Sequence, residues 1–290
     1  YSSKTFKMEN YSINTQKNKN HYDQVYSDVD INAILKKINN LDDFLSDATR
    51  TDTSWVGLYH GNFKSKLKGK RILELGCGDC TNLAIMAALG AEVYGNDISQ
   101  KSGLIIEKLN ANFKFQYPIQ FVEGDFLESN LNENQFDFVI GKAFIHHLTN
   151  IQEIKFTELI VKYLKPDGVV RYFEPAVNSK ILDELRWLTP VPGRPSKLQK
   201  RKFEKWKKND PHPIRDNSSG HYRSVGYKFF KEVKIVPIGT IERFCKFIPS
   251  KWNRPIRRLS YKIEKFIPYS INLYLTRSHL IEYKYPKKVH

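Results

Sequence analysis

The chain has 290 residues, 47 Lys+Arg against 31 Asp+Glu for a formal net charge of +16, and a hydrophobic content of 40%. That length allows one large domain or two modest ones around a buried core, and the composition excludes a disordered or collagen-like chain. Three cysteines, Cys77, Cys80 and Cys245, exclude a disulfide scaffold and fit a reducing compartment, and no apolar run approaches the ~18–20 residues of a membrane span.

The opening segment, YSSKTFKMENYSINTQKNKN, has no apolar stretch of the secretory type, so a cytoplasmic protein is expected. Residues 1–20 are polar and without apolar periodicity, which predicts a flexible segment. A helical cap is expected over 21–60, where Ile31, Ile34, Leu35, Ile38, Leu41 and Phe44 mark one face of an amphipathic helix. A short strand at 71–75 stops at a glycine pair and leads into a helix over 82–89 that Gly90 closes. The pattern repeats with a strand at 92–95 ending at Asn96-Asp97 and a helix, capped by Ser99, to residue 112. Strands at 119–122 and 136–140, a helix over 151–164 and a strand at 169–174 follow. Such alternation predicts a parallel sheet covered on both faces, its core over 61–175.

Residues 176–290 are expected to add substrate-side insertions and two more strands, 229–236 and 274–283. From 194 onward the chain holds 25 Lys+Arg and 7 Asp+Glu, a balance of +18 that accounts for all the excess charge. An anionic partner follows: nucleic acid, acidic lipid headgroups or a phosphorylated substrate, against the plainer reading of a solubilising surface. In 254–267, Ile256, Leu259, Ile263, Phe266 and Ile267 share a helical face, with Pro255 placed to start the helix. That segment is either an interfacial membrane helix or a cap packing its apolar side on the protein.

The stretch Glu74-Leu75-Gly76-Cys77-Gly78-Asp79 carries the chemistry. Glycines at 76 and 78 let the backbone turn sharply and approach a ligand, and the following helix presents free N–H groups to it. Asp97, twenty-one residues beyond Gly76, ends the next strand, where a carboxylate can accept both ribose hydroxyls of a nucleoside. The third glycine of a dinucleotide fingerprint is missing, and an acid at 74 suits a cationic amino-acid tail better than a pyrophosphate. Cys77 and Cys80 have C-x-x-C spacing but no second pair, so no metal site is expected and they read as small residues of a tight turn. His146-His147 follow the fourth strand, where one imidazole could take a proton from an acceptor or simply shape the pocket.

With GNDIS, EGDF, FDFVIGKAFIHHL and LKPDGVVRYFEP following ELGCGD, the sequence resembles the class I S-adenosylmethionine (SAM)-dependent methyltransferases, in particular the type 11 small-molecule subgroup. The resemblance is specific over 22–175. It implies a Rossmann-like seven-stranded α/β sheet with SAM as cofactor and S-adenosylhomocysteine as product. By the same resemblance Glu74, Gly76 and Gly78 line the methionine part, Asp97 with Ile98 the ribose, and Asp125 and Phe126 the adenine. Gly141 and Lys142 begin the loop under the sulfonium, and Cys80 stands where the family often has glycine. Tyr22 and Tyr26 resemble a segment that covers the cofactor; Arg186, Trp187 and His212 are candidates for contacting substrate. The implied reaction is in-line methyl transfer to an oxygen or nitrogen of a small-molecule or lipid-linked acceptor, at the inner membrane surface if the basic third engages lipid. An RNA methyltransferase is the alternative. Against it, no Asn/Asp-Pro-Pro-aromatic box follows the fourth strand, and the Pro-Cys pair of pyrimidine C5 enzymes is missing.

Overall fold

A computed structural model describes residues 2–191 and 194–287. The first element is a helix, α1 (Ser2–Val25), where a flexible segment was expected. Its apolar side chains give no periodic signal because polar contacts hold it: Asn14 Nδ2 donates to the carbonyl of His147 at 3.0 Å, and Ser99 Oγ to Asp23 at 2.6 Å. The single helix expected over 31–44 is two, α2 (Ile31–Asn39) and α3 (Leu41–Thr51). Asn40 breaks them, with φ −118° and ψ 47° and its amide donating to Lys36 O at 2.9 Å. A short α4 (Thr53–Leu58) is capped by Asp52.

The α/β body then runs β1 (Arg71–Leu75), α5 (Thr81–Ala88), β2 (Glu92–Asp97), α6 (Gln100–Asn112), β3 (Gln120–Glu123), β4 (Phe136–Lys142), α7 (Asn150–Tyr163) and β5 (Leu164–Pro175). After it come α8 (Lys180–Leu188), α9 (Lys200–Asn209), α10 (Ser219–Phe229), β6 (Phe230–Ile238), α11 (Ser250–Glu264), α12 (Tyr269–Leu275) and β7 (Ser278–Pro286). The strands form one sheet in the order β3-β2-β1-β4-β5-β7-β6. The first five are parallel; β7 inserts antiparallel between β5 and β6. The last strand therefore starts at Ser278, not at 274, because Pro268 opens a helix over Tyr269–Leu275. An apolar run that short does not distinguish helix from strand by periodicity alone.

Two hydrophobic cores cover the sheet's faces. One contains Ile72, Leu83, Val93, Ile106 and Ile140, the other Leu73, Val139, Phe156, Val170 and Tyr222. Strand order reverses between β1 and β4, so the crevice beyond their carboxyl ends is the place where such a sheet binds ligands.

α11 does not pack its apolar side on the protein, as the cap reading required. Pro255 lies inside the helix, and Leu259 and Ile263 are 54% and 44% exposed. The buried side is the polar one: Glu264 accepts from the N–H groups of Gly239, Ile241 and Glu242, and Tyr261 bonds Thr53 at 2.8 Å.

Candidate functional site

The turn after β1 is built from left-handed residues: Gly76 at φ 62°, Gly78 at 56° and Cys80 at 58°. Cys80 holds there, at a cost of about 1–2 kcal/mol for a side chain in that region, because its N–H bonds Cys77 O at 2.9 Å and its thiol is fully buried. Both glycines are also places of close approach. A Cβ at Gly76 would collide with the Phe144 ring, and one at Gly78 would lie 2.8 Å from the Tyr26 hydroxyl.

Two adjoining cavities meet at this turn and share Tyr26, Gly76 and Lys142 in their walls. In the one lined by Glu74, that residue is 2% exposed; Oε1 accepts from Asn82 Nδ2 at 2.7 Å while Oε2 is buried with no partner among the described residues. Burial pushes the Glu74 carboxyl up to about 7. A cationic group at Oε2 would supply the missing partner. Asp97, at the tip of β2, accepts from Gly78 N and Ser99 N, both at 2.9 Å. Each of its oxygens keeps a further lone pair for a hydroxyl of a ligand.

The other cavity, of about 720 Å³, is lined by Asp97, Ile98, Asp125, Phe126 and Lys142 on the sheet side, by Asn14, Asn18 and Tyr22 on α1, and by Tyr26 in the turn after it. Asp125 caps the short turn after it, accepting from Leu127 N at 3.0 Å. Phe126 is nearly all core, tilted against Phe156 at 5.2 Å. Gly141 lies outside both cavity walls and packs on Tyr172 instead.

α1 roofs this cavity. Tyr22 stacks on Tyr26 at 5.3 Å and meets His147 Nε2 at 3.0 Å. His147 is 9% exposed; burial, then the neighbouring imidazoles, hold it well below its ordinary range, so it is neutral at pH 7. His146 is anchored differently, Nδ1 to Glu174 at 2.7 Å. His212, sixty-five residues away in sequence, stacks on His147 with ring centroids 4.3 Å apart. Arg186 and Trp187 line neither cavity: their neighbours are Arg194, Asp183, Phe203 and Trp206, a satellite aromatic cluster on the basic lobe. Sequence reasoning missed Asn14, Asn18, Gln152, Glu174 and Arg215. Arg215 donates to Ile145 O and Leu148 O at 2.7 and 2.9 Å and fixes the histidine turn, and no spacing announces it. Gln152 did carry a signal, as the third residue of a capping box begun by Thr149.

Residues 72–168 match the family described as "Methyltransferase domain". A SAM-dependent methyltransferase from Archaeoglobus fulgidus superposes with a TM-score of 0.51 at 18% identity, over 83% of this chain and 98% of that one. Residues 72–168, a third of the chain, are a methyltransferase domain. Cypemycin N-terminal methyltransferase from a Streptomyces species is 33% identical to this chain over 104 residues, which are 35% of this chain and 40% of that relative's length. Phosphoethanolamine N-methyltransferase 2 of Haemonchus contortus, solved with S-adenosyl-L-methionine, aligns at 14% identity and TM-score 0.48 over 90% of this chain and 61% of its own. The residues present fit SAM: the unpartnered Glu74 oxygen would accept an ammonium, and Asp97 has lone pairs that would accept ribose hydroxyls.

Proposed function

We propose that this chain transfers a methyl group from SAM to a nitrogen or oxygen of a small or lipid-linked acceptor, a nitrogen being favoured. The observation that carries the reading is the buried, partnerless Oε2 of Glu74 beside a glycine turn and the Asp97 carboxylate. SAM supplies an activated methyl on sulfur, open to in-line displacement by a lone pair. Glu74 would hold the amino end, Asp97 the ribose, and Asp125 the far end of the trough. Catalysis by the protein is then mainly alignment under the α1 roof, with water excluded.

Two features favour nitrogen. A neutral amine attacks with the lone pair it already has and sheds its proton to water after transfer, whereas a hydroxyl needs a base, and His147, held well below its ordinary range, is a weak one. Asn18 Oδ1, buried in the roof without a partner, is an acceptor for an N–H. The name of the Streptomyces relative points the same way. The test is calorimetry with S-adenosylhomocysteine, followed by transfer of labelled methyl to matched amines and alcohols. Binding with transfer to amines supports the reading; no binding by folded protein ends it.

We further propose that the basic lobe meets an anionic lipid surface. On α11 and the turn after it, Leu259, Ile263 and Phe266 are exposed, Phe266 by 87%, beside the exposed Lys262 and Lys265. RNA binding needs the charge alone, whereas interfacial insertion uses both charge and apolar surface. Co-sedimentation with neutral and phosphatidylserine vesicles, with RNA as competitor, decides between them.

A further inference from the structure

Three imidazoles meet behind the wall of the roofed cavity, which His147 alone of the three lines. His146 and His147 come from the turn Ile145–His147, and His212 from the segment between α9 and α10. One nitrogen of each lies within 4.8 Å of those of the other two. We propose that His146, His147 and His212 bind one divalent first-row transition ion of the zinc class.

Three observations carry this. First, one nitrogen of every ring is already held: His146 Nδ1 by Glu174 at 2.7 Å, His147 Nε2 by Tyr22 at 3.0 Å, and His212 Nδ1 by Asp210. That leaves His146 Nε2, His147 Nδ1 and His212 Nε2. Metal-binding histidines are oriented in the same way, with the far nitrogen tied to a carboxylate or another oxygen. Second, His147 Nδ1 is buried without a partner, an expense of about 1–3 kcal/mol that nothing else among the described residues offsets. Third, imidazole suits zinc, copper, iron and nickel, and three such ligands leave a fourth position for water or a ligand's lone pair. Linear spacing gave no sign of this set, because His212 is brought in by the fold.

An ion bound at about 2.0–2.1 Å in tetrahedral geometry wants its nitrogens roughly 3.3 Å apart. The rings here are stacked, His212 on His146 with planes 11° apart and on His147 with planes 30° apart. Binding therefore requires ring rotation, which the broad, two-fold χ2 of histidine permits and the exposed His212 can make. An ion on His147 Nδ1 would leave the proton on Nε2. His147 would then be a fixed donor toward Tyr22 and the cavity rather than a base. The site uses no residue of the glycine turn, so its test is separate from that of methyl transfer.

Tag-free full-length protein, stripped with a chelator, is titrated with Zn²⁺ against a chromophoric competitor and with Co²⁺ by absorption. The expected result is one ion per chain at micromolar affinity or better. His212→Ala should weaken it about a hundredfold, and Asp210→Asn about tenfold, with circular dichroism unchanged. His146→Ala should weaken it comparably. Absence of stoichiometric binding overturns the proposal. So does zinc that ignores His212→Ala and His146→Ala but is lost on blocking Cys77 and Cys80.

Discussion

Glu74 and Glu174 are both buried glutamates near the carboxyl ends of strands, in β1 and β5 on either side of β4, and they are served in opposite ways. Glu174, fully buried, receives the N–H groups of Phe144, Ile145 and His146 and the His146 ring, so both oxygens are used. Glu74 receives one side-chain amide and keeps a bare oxygen. A buried carboxylate that the protein satisfies is structural; one left short points to a missing ligand. On the proposed function, the cofactor half of the site is finished by what binds there, and the acceptor half is held by the protein itself through Glu174 and Arg215.

The hardest test of that contrast is stability. Glu174→Ala strands several buried donors and should lower the unfolding free energy by about 3–5 kcal/mol. Glu74→Gln should leave the ligand-free protein as stable or more so, yet weaken S-adenosylhomocysteine at least tenfold. Denaturant titration and calorimetry read the two. Equal destabilisation by both variants would erase the distinction.

A second effect, slightly smaller, is in pH. The folded Glu74 carboxyl sits at about 7 against an ordinary 4.5, so the folded state keeps a proton that the unfolded chain gives up. Its contribution is whole below about 4.5 and is lost as pH rises through 7. Over that window the unfolding free energy should fall by about 3 kcal/mol on this group's account. The slope should disappear in Glu74→Gln and flatten when S-adenosylhomocysteine supplies its ammonium. A ligand-free protein with the same slope as Glu74→Gln would show that the carboxyl is not strained.

Asp97→Ala should weaken S-adenosylhomocysteine binding at least tenfold, since hydrogen bonds to a charged group are worth about 1.5–3 kcal/mol each. It also releases Gly78 N and Ser99 N, so Asp97→Asn, which keeps one acceptor, is the better control. Unchanged affinity in both would move the ribose elsewhere. Gly76→Val is a poorer probe, because the new side chain would meet Phe144 whether or not a ligand is present.

The two halves also differ in how far the sequence reveals them. Glu74, Gly76, Gly78 and Asp97 lie within two strand–turn–helix units, and the chain's own order brings them together. The sheet was legible for the same reason, strand by strand through β5. The proposed acceptor half draws on Asn14, His147, Gln152, Glu174 and Arg215, joined by hydrogen bonds between residues 29 to 138 positions apart that leave no periodic trace. α1 was read as loose because its attachments are polar. For α11 the cap reading failed because an apolar stripe, read from spacing, gives a face but not a direction.

That direction sets the last and smallest prediction, which carries the argument from missing partners out to the surface. The inner side of α11 is turned to polar partners, with Glu264 taking three backbone N–H groups and Arg257 in an ion pair with Glu242 at 3.2 Å. The outer side shows water Leu259, Ile263 and Phe266. Arg254 and Arg258 are paired to Asp47, so Lys262 and Lys265 are the charges beside that stripe best placed to act. Each basic residue near an acidic bilayer contributes about 1 kcal/mol, so Lys265→Gln should weaken binding to phosphatidylserine vesicles about fivefold. The loss should fade with salt, as the Debye length falls from about 10 Å at 0.1 M to about 3 Å at 1 M. Phe266→Ser should weaken binding at both salt concentrations, because the apolar contribution is not screened. A protein that ignores acidic vesicles at low salt, or whose RNA binding responds to Lys265→Gln but not to Phe266→Ser, would show the stripe to be idle and the charge to serve another anion.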